Sequence, residues 1–490
     1  MKNKKSIQNK LFADFYLKDE LIKAVKELGF KNPTPIQSKV IPHLMSSKQD
    51  LIASAQTGTG KTAAFGLPVL NLINENEKHV QTLILCPTRE LCIQITNDLI
   101  SYSKYLRDVH VLAVYGGARI EKQIKALKKQ PKIVVGTPGR TKDLIKRKKL
   151  DVRKIQRLIL DESDEMLSMG FKEDLESISK STSQQKQILL FSATMTPKVN
   201  DFVKKYMKNS QAISVARKNE AAENVMHVFY MVQAKDRYEV VKRIADMNPD
   251  IYGIVFCRTR RETKDVAVKL MNDHYNADTI HGDLSQSERD DVMKRFRNKQ
   301  LQILVATDVA ARGLDVDNLT HVINYNLPDD DEIYVHRSGR TGRAGKKGTS
   351  MVIIHGREIR KLKNIEQNSG IKFIKQQVPN GLDICKKRLY KLIDKIEKVK
   401  VNEEQIEQFL PYIYEKLNWL DREQLIKHFV STEFNRYLSY YKNSKDINSK
   451  YTDSKKNKRN RRNRKKFFNS KNKNNKNNRN RNRRKKKYKS

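Results

Sequence analysis

The chain has 490 residues and a hydrophobic fraction of 38%, which suits two or three domains joined to very polar sequence. Its 99 Lys+Arg exceed 56 Asp+Glu and give a net charge of +43, so we expect a polyanionic partner, nucleic acid before an acidic membrane. Four scattered cysteines without a CxxC pair argue against a zinc site or a disulfide framework, and with no secretory leader or bilayer-length apolar run we expect a cytoplasmic protein without a membrane partner.

Short apolar runs alternate with helical patterns along the first three quarters of the chain. In the first series we predict strands at 50–54, 82–86, 132–136, 158–160 and 188–191. A second series predicts strands at 253–256, 277–280, 302–306, 321–325 and 350–354. Strands that alternate with helices favour a parallel sheet covered on both faces, with ligands at the carboxyl ends of the strands. The sequence therefore predicts an α/β protein with two parallel-sheet domains.

The composition divides the chain into six predicted segments. These are a disordered N-terminus (1–11), a first α/β domain (12–213), a linker (214–222), a second α/β domain (223–368), a helical extension (369–441) and a disordered tail (442–490). The tail contains 23 Lys+Arg and two Asp, so it carries +21, about half of the net charge, and cannot bury a core.

The stretch AQTGTGKT at 55–62 follows a predicted strand and precedes a predicted helix. It fits a phosphate loop, because its glycines let backbone N–H groups wrap around phosphate oxygens. In this pattern Lys61 reaches the outer phosphates and the Thr62 hydroxyl is a ligand of Mg²⁺. A chance glycine-rich turn is the alternative, and the strand–loop–helix context argues against it.

The stretch LILDESDE at 158–165 places four carboxylates directly after an apolar strand. Like charges repel, so this crowding indicates a cation at the site. Asp161 lies where the second metal-holding carboxylate of a phosphate-loop ATPase is expected, and Glu162 can orient or deprotonate the attacking water. The alternative for an acidic run is a solvated helix start, which we expect to apply to Glu165.

Together these motifs resemble the DEAD-box RNA helicases over about residues 12–355, in the family's order. NPTPIQ at 32–37 resembles the Q motif, which makes ATP the expected nucleotide. The resemblance implies two RecA-like domains. It implies that Gln37 reads the adenine edge and that Phe12 stacks on the base. It assigns nucleotide binding to Phe12, Phe30, Gln37, Gln56, Thr57, Gly58, Thr59, Gly60, Lys61, Thr62 and Asp315, and Mg²⁺ binding to Thr62 and Asp161.

Further motifs resemble the family's catalytic, RNA-binding and coupling elements. HRSGRTGR at 336–343 matches the arginine-finger motif, so the resemblance makes Lys61, Asp161, Glu162, Arg340 and Arg343 the catalytic residues. It assigns sequence-blind RNA contacts to Arg89, Gly117, Thr137, Pro138, Gly139, Arg140, Arg258, Gln286, Arg289 and Thr307. It assigns the coupling of hydrolysis to RNA separation to Asp164, Ser192, Thr194 and His336.

Two positions depart from the family pattern. Ser163 stands where the name motif has Ala, and a buried hydroxyl at this position needs a hydrogen-bond partner. Ser338 stands where the family usually has Ile, which affects local packing more than catalysis. We expect the chemistry to survive both changes.

The resemblance predicts an RNA-stimulated ATPase that unwinds short RNA duplexes or remodels ribonucleoprotein. Because ATP and RNA each contact both domains, binding of both is expected to close the cleft and to bring Arg340 and Arg343 to the phosphates. Two alternatives stay open, an ATP-gated RNA clamp with weak unwinding and a DNA helicase of the same superfamily. A nucleic-acid chaperone that acts only through its tail is the weakest, since the ATP motifs are complete. The sequence leaves open whether ribosomal RNA or mRNA is the substrate.

The helical extension resembles the dimerisation regions of some bacterial members of the family, including cold-shock and ribosome-assembly types. Apolar residues recur in it at helical spacing, and a homodimer seam could be formed by Leu417, Leu420, Leu425 and Ile426. The alternative is a stabilising cap on the second domain. The basic tail is expected to be a non-specific RNA tether, with an inert solubilising extension as its alternative.

Overall fold

A computed structural model of the chain describes residues 11–55, 58–214, 224–311, 316, 319–342, 346–442 and 444–448. Nearly all of the predicted disordered N-terminus, linker and basic tail lies outside the described residues. The same is true of four predicted site residues, Gln56, Thr57, Asp315 and Arg343.

The first sheet has seven strands, and all of its neighbouring strands run parallel. The strands are β1 (Leu51–Ser54), β2 (Thr82–Leu85), β3 (Val111–Val114), β4 (Ile133–Gly136), β5 (Arg157–Leu160), β6 (Gln187–Ser192) and β7 (Gln211–Ser214). Their order across the sheet is β3-β4-β2-β5-β6-β1-β7. Five of these strands agree with the prediction to within one residue at each end, and β3 and β7 were not predicted.

The helices of this part are α1 (Asp19–Glu27), α2 (Pro35–Ser46), α3 (Lys61–Asn71), α4 (Arg89–Tyr102), α5 (Ile120–Leu127), α6 (Pro138–Lys146), α7 (Ser163–Ser168), α8 (Lys172–Ser181) and α9 (Pro197–Tyr206). Successive strand residues point to opposite faces of the sheet. Ile84, Ile159 and Leu189 therefore pack with α1–α4, whereas Leu83 and Leu158 pack with α6–α9. The prediction of helices on both faces is confirmed.

The second sheet also has seven strands, β8 (Val225–Met231), β9 (Gly253–Phe256), β10 (Ala277–Ile280), β11 (Ile303–Ala306), β12 (His321–Asn324), β13 (Gly348–Ile354) and β14 (Ile374–Gln376). Their order is β10-β11-β9-β12-β13-β8-β14, and β10, β11, β9 and β12 pair in parallel. The five predicted strands are present, and β8 and β14 were missed. The predicted α/β fold class is confirmed.

The remaining helices are α10 (Arg237–Met247), α11 (Arg260–Asn272), α12 (Gln286–Arg297), α13 (Asp308–Ala311), α14 (Asp331–Ser338), α15 (Ile359–Ser369), α16 (Gly381–Lys398), α17 (Glu403–Ile406), α18 (Leu410–Leu417) and α19 (Arg422–Tyr441). Short 3₁₀ turns occupy Phe12–Phe15, Ala234–Asp236 and Glu407–Phe409. The C-terminal region is helical, as predicted. Within the described ranges, we find no helix with both the length and the apolar character needed to cross a bilayer.

Backbone contacts divide the chain into two compact units. The first comprises Met1–Val228, Asp250–Met351 and Ile365–Lys372, and the second Phe229–Pro249, Val352–Asn364 and Phe373–Ser490. Every predicted site residue belongs to the first unit. Within the second unit α10 carries a buried carboxylate, Asp246, which accepts hydrogen bonds from Arg388 Nη2 (3.0 Å) and the Tyr441 hydroxyl. A small apolar cluster beside it contains Ile384, Cys385, Phe434 and Tyr441.

Candidate functional site

The parallel register places several predicted motifs at one edge of the first sheet. Ser54 pairs with Ser192, and Leu160 pairs with Leu85 and Leu190, so the residues that follow these strands emerge together. The phosphate loop follows Ser54, and Asp161 follows Leu160. The carboxyl ends of the strands therefore form the candidate site, as expected for an open parallel sheet.

The phosphate loop is hydrogen-bonded to the predicted Q motif. Gly60 lies immediately before α3. Its φ of +87° is a backbone conformation that favours glycine. The Gln37 side chain is buried. Its Nε2 donates to the Gly60 carbonyl (3.1 Å), and its Oε1 accepts from the Thr34 backbone N–H (2.8 Å). Gln37 thus supports the loop, a contact that the sequence did not predict, and its reading of adenine stays a prediction.

Lys61 opens α3 with its side chain buried. Its Nζ lies 3.7 Å from Asp161 Oδ1, and within the described residues it has no hydrogen-bond partner. Burial raises the pKa of Asp161 to about 6, although the charge of Lys61 opposes this rise. A buried ammonium without a hydrogen bond fits a site that receives an anion such as a phosphate.

Glu162 occupies a strained backbone position directly after Asp161. Its φ of 51° is in the left-handed region, which is costly for a residue other than glycine. Its N–H donates to Asp161 Oδ1 (3.0 Å), and its carboxylate is buried. Such strain is characteristic of functional sites, and here it turns the chain sharply from β5 into α7.

The departure at Ser163 is accommodated by the first sheet. Its Oγ donates to the carbonyl oxygen of Phe191 on β6 at 3.2 Å. Ser338 is satisfied in the same way, because its Oγ donates to the Tyr334 carbonyl at 2.9 Å. Both buried hydroxyls therefore have the partners that they need.

Asp164 holds the segment after β6. Its Oδ2 accepts from the Ala193 N–H (3.1 Å), the Thr194 N–H (2.8 Å) and the Thr194 hydroxyl (2.9 Å). Ser192 Oγ donates to the Thr194 carbonyl (2.6 Å). Three of the four predicted coupling residues are thus joined in one network, and Thr194 Oγ1 also lies 3.4 Å from Glu332 Oε2.

The fourth predicted coupling residue, His336, contacts the acidic run. Its Nδ1 lies 2.5 Å from Glu165 Oε1, and its Nε2 lies 4.0 Å from Asp164 Oδ2. Burial by itself lowers the pKa of His336, but the hydrogen bond and charge of Glu165, with Asp164 and Glu162, outweigh burial and raise it. Glu165, which we expected at a solvated helix start, is instead buried against this histidine. That expectation was wrong because its neighbours in space, which the sequence does not show, cover it.

One cavity brings catalytic candidates together. Its lining includes Glu162, Glu165, Phe256, Asp308, His336 and Arg340. Arg337 also lines this cavity; it is buried and makes a bidentate ion pair with Asp308 (2.6 and 2.8 Å). Arg337 also donates to Asn324 Oδ1 and the Asn326 carbonyl (both 2.9 Å), so it fixes the motif that presents Arg340. The sequence analysis did not assign a role to Arg337. The motif at 336–343 contains several arginines, and the sequence does not show which of them is buried.

The predicted RNA contacts fall into several groups. Arg89, Gln286 and Arg289 come together with Asp290 and Glu90, through an Arg89 Nη2–Asp290 Oδ2 distance of 3.2 Å and an Arg289 Nη2–Glu90 Oε1 distance of 3.7 Å. A Cβ atom placed on Gly117 would lie 4.0 Å from Gln286 Oε1, which puts Gly117 beside this group.

Other predicted RNA-binding residues have structural partners of their own. Arg140 donates from both terminal nitrogens to the Ala118 carbonyl (3.2 and 3.1 Å), beside Gly117. Arg258 Nη2 donates to the Leu327 carbonyl at 3.2 Å. Thr137 immediately precedes α6, which opens with Pro138 and Gly139, and Thr307 precedes α13. Their roles in RNA binding stay predictions.

Phe12 and Phe30 meet in the apolar core. Their ring centroids are 6.3 Å apart, and Phe12 is buried. The sequence reasoning missed several acidic partners of the predicted site, namely Glu90, Asp290, Asp308 and Glu332. Each lies close in sequence to a recognised motif, but its partner is remote in sequence, so only the fold shows the pair.

Comparison with known proteins identifies the family. The model described as DEAD/DEAH box helicase matches residues 34–202, and the helicase conserved C-terminal domain matches 236–345. The helical domain of a probable ATP-dependent RNA helicase matches 384–442. The DEAD-box ATP-dependent RNA helicase CshA of Bacillus cereus is 45% identical over 368 residues, which cover 75% of this chain and 70% of that protein. The chain belongs to the DEAD-box ATP-dependent RNA helicases.

A second relative and two solved structures agree with this assignment. The ATP-dependent RNA helicase CshA of Listeria monocytogenes is 42% identical over 412 residues, 84% of this chain and 78% of that one. The solved structure of S. cerevisiae Dbp5 bound to RNA and ADP BeF3 has a TM-score of 0.70 at 28% identity, covering 77% of this chain and all of that one. A structure of Mss116p bound to ssRNA and AMP-PNP has a TM-score of 0.67 at 28% identity and covers 86% of each chain. The predictions of family, RecA-like fold and RNA helicase activity driven by ATP are confirmed.

Proposed function

We propose that this helicase binds RNA without reading its sequence and separates short duplexes locally, using ATP hydrolysed at the edge of the first sheet. The observation that supports this best is the buried ammonium of Lys61, which, among the residues the structure describes, lacks a hydrogen bond and faces Asp161. In this proposal Lys61 holds the outer phosphates. Glu162 orients or deprotonates the attacking water, and Arg340 stabilises the negative charge that develops on the phosphoryl group.

We propose Mg²⁺ as the accompanying ion. Thr62 and Asp161 supply oxygen ligands, and Mg²⁺ is typically held by one or two carboxylates together with substrate phosphates. The described residues contain no group of three or more His, Cys, Asp and Glu that could hold a metal by themselves, which fits an ion that arrives with the nucleotide. When bound, the ion would neutralise phosphate charge.

Glu162→Gln tests the assignment of the water-orienting residue. The amide keeps the size of the side chain, but it replaces one acceptor oxygen with an NH2 donor and cannot act as a general base. We expect ATP and RNA to bind normally while turnover falls about a hundredfold or more, so that RNA release in ATP slows. The measurement is RNA release after a chase, in ATP, alongside steady-state ATPase. RNA release as fast as in the wild type would reject this role for Glu162.

We propose that the helical extension forms a homodimer. In the second unit, apolar side chains stay exposed on α18 and α19, including Ile413, Leu417, Leu425 and Ile426. Exposed apolar residues that recur on consecutive helices favour a protein interface. The double variant Leu425→Glu and Ile426→Glu should halve the mass measured by light scattering, whereas Lys427→Glu on the same helix should leave it unchanged. A monomeric wild type would reject the proposal.

We propose that the basic tail tethers RNA near the helicase core. Each phosphate that it engages on a single strand adds about −0.7 to the slope of log affinity against log salt. Phe467, Phe468 and Tyr488 could stack on bases, but they are too few to select a sequence. Removal of residues 442–490 should weaken RNA binding, flatten its salt dependence and leave turnover at saturating RNA nearly unchanged. Unchanged affinity and salt slope would exclude a tether.

A further inference from the structure

Two ion pairs in the first unit join the start of α4 to the start of α12 in reciprocal order. Arg89 pairs with Asp290 (3.2 Å), and its neighbour Glu90 lies 3.7 Å from Arg289. Each pair therefore takes its arginine from a different helix. Both arginines are predicted RNA contacts, so in this structure each is already next to a carboxylate.

Asp290 is the more strongly engaged of the two carboxylates. Its Oδ2 accepts a hydrogen bond from Arg89 Nη2 at 3.2 Å, and its Oδ1 accepts one from Gln286 Nε2 at 2.9 Å. One anion therefore bridges two side chains that the resemblance assigns to RNA. A phosphate group of RNA has the same charge sign and the same kind of oxygen acceptor, so it would compete for the same donors.

The arginine retains capacity for a further acceptor. Within the described residues, the buried Nε of Arg89 lacks a hydrogen-bond partner, although its guanidinium also lies over the Tyr115 ring, 4.8 Å from the centroid. The side chain of Arg89 is 19% exposed, whereas that of Asp290 is 58% exposed. Arg89 is thus held in place while Asp290 can move into solvent, which is the arrangement that exchange of one anion for another requires.

We propose that Asp290 competes with RNA phosphate for Arg89 and Gln286 and so lowers the affinity of the protein for RNA. The proposal rests on the RNA contacts assigned to these two residues under the proposed function. RNA entry then requires the Asp290 carboxylate to leave, and its charge repels phosphates that only partly engage the site. The protein has a large positive charge and binds RNA without reading its sequence. A competing carboxylate would weaken its binding to RNA strands that make only a few contacts with it.

The test compares Asp290→Asn with Asp291→Asn in the full-length protein. Each variant removes one negative charge from α12, but Asp291 is 65% exposed and pairs instead with Arg295 at 2.9 Å. The probe is a short fluorescein-labelled oligouridine strand, titrated by anisotropy at low and at moderate salt. The amide introduced by Asp290→Asn keeps the shape of the side chain and an oxygen acceptor for Gln286, but its NH2 group cannot accept from Arg89, so the charge and the ion pair are lost together.

We expect Asp290→Asn to bind the probe about threefold to tenfold more tightly at low salt, since a partly exposed ion pair no longer has to be broken and a like charge is gone. The gain should shrink at higher salt because screening weakens both effects. Asp291→Asn should change affinity by less than about twofold. Unchanged or weaker binding by Asp290→Asn, or an equal gain in Asp291→Asn, would overturn the proposal.

Arg89→Ala separates this inference from the proposed function. That variant should weaken RNA binding, and Asp290→Asn should give little gain when combined with it, because the competing pair is already gone. If Arg89→Ala leaves RNA binding intact, the RNA contact itself is wrong. If Arg89→Ala weakens binding but Asp290→Asn does not tighten it, the contact stands and the competitor role fails.

Discussion

Two charged regions of the first unit hold their side chains in different ways. At the end of β5, Asp161 and Asp164 are buried and receive backbone N–H groups, so the fold itself sets their geometry. At the start of α12, Asp290 is more than half exposed and is held by the side chains of Arg89 and Gln286. Charges that are buried and fixed act strongly and cannot be exchanged, whereas exposed ion pairs are weak and replaceable. The first arrangement suits chemistry on phosphates, and the second suits RNA that must bind and leave.

Lys61→Ala should have the largest effect on the buried region. It removes the cation of the phosphate loop, whose Nζ lies 3.7 Å from Asp161 Oδ1, so we expect ATP binding to weaken and turnover to be abolished. The measurement is RNA-stimulated ATPase together with nucleotide affinity. Lys39→Ala, an exposed lysine on α2, serves as the control and should keep normal turnover. Normal hydrolysis by Lys61→Ala would remove the basis for placing ATP at this edge.

Glu165→Gln tests the buried histidine contact through pH. The pKa of His336 is raised above its ordinary value of 6.5 by Glu165, Asp164 and Glu162, which together outweigh the effect of burial. The carboxylate of Glu332 also interacts electrostatically with His336. The protonated His336 therefore stabilises the folded protein fully at pH values below 6.5. This stabilisation is lost as the pH rises through the raised pKa and His336 becomes neutral. Wild type should therefore be more stable than Glu165→Gln in mildly acidic buffer, by about 1 kcal/mol.

Thermal unfolding of both proteins over a series of pH values measures this difference. The midpoints should converge in alkaline buffer, where His336 is neutral in both. A difference that does not change with pH would mean that Glu165 stabilises through packing and not through the charge of His336.

Ser163→Ala should have the smallest effect, although the position is buried. Its hydroxyl already donates to the Phe191 carbonyl, so the net change in stability should stay within about 1 kcal/mol. ATPase rates should be nearly unchanged, since the neighbouring carboxylates keep their backbone partners. A tenfold change in rate would show that the fixed geometry of this region depends on the hydroxyl.

Local signals in the sequence predicted most of the fold and part of the site. Buried strands such as β2 and β6 contain continuous apolar runs, which predict strands. The glycines and Lys61 of the phosphate loop form a recognisable motif. The missed strands β7 and β14 are short, mostly exposed strands at the end of their sheets, so they lack an apolar signal. Pairs such as Arg89–Asp290, which are 201 residues apart, leave no local trace at all.

In the proposed mechanism Arg340 acts at the same phosphates as Lys61 and Glu162. Arg340→Lys keeps the positive charge but loses the planar fork of donors. Single-turnover ATP hydrolysis at saturating RNA, measured together with ATP affinity, tests this most directly. We predict that hydrolysis falls about a thousandfold while ATP affinity changes by less than about threefold. Hydrolysis at the wild-type rate would contradict the account, because the cavity lined by Glu162 and Arg340 would then not be the catalytic centre.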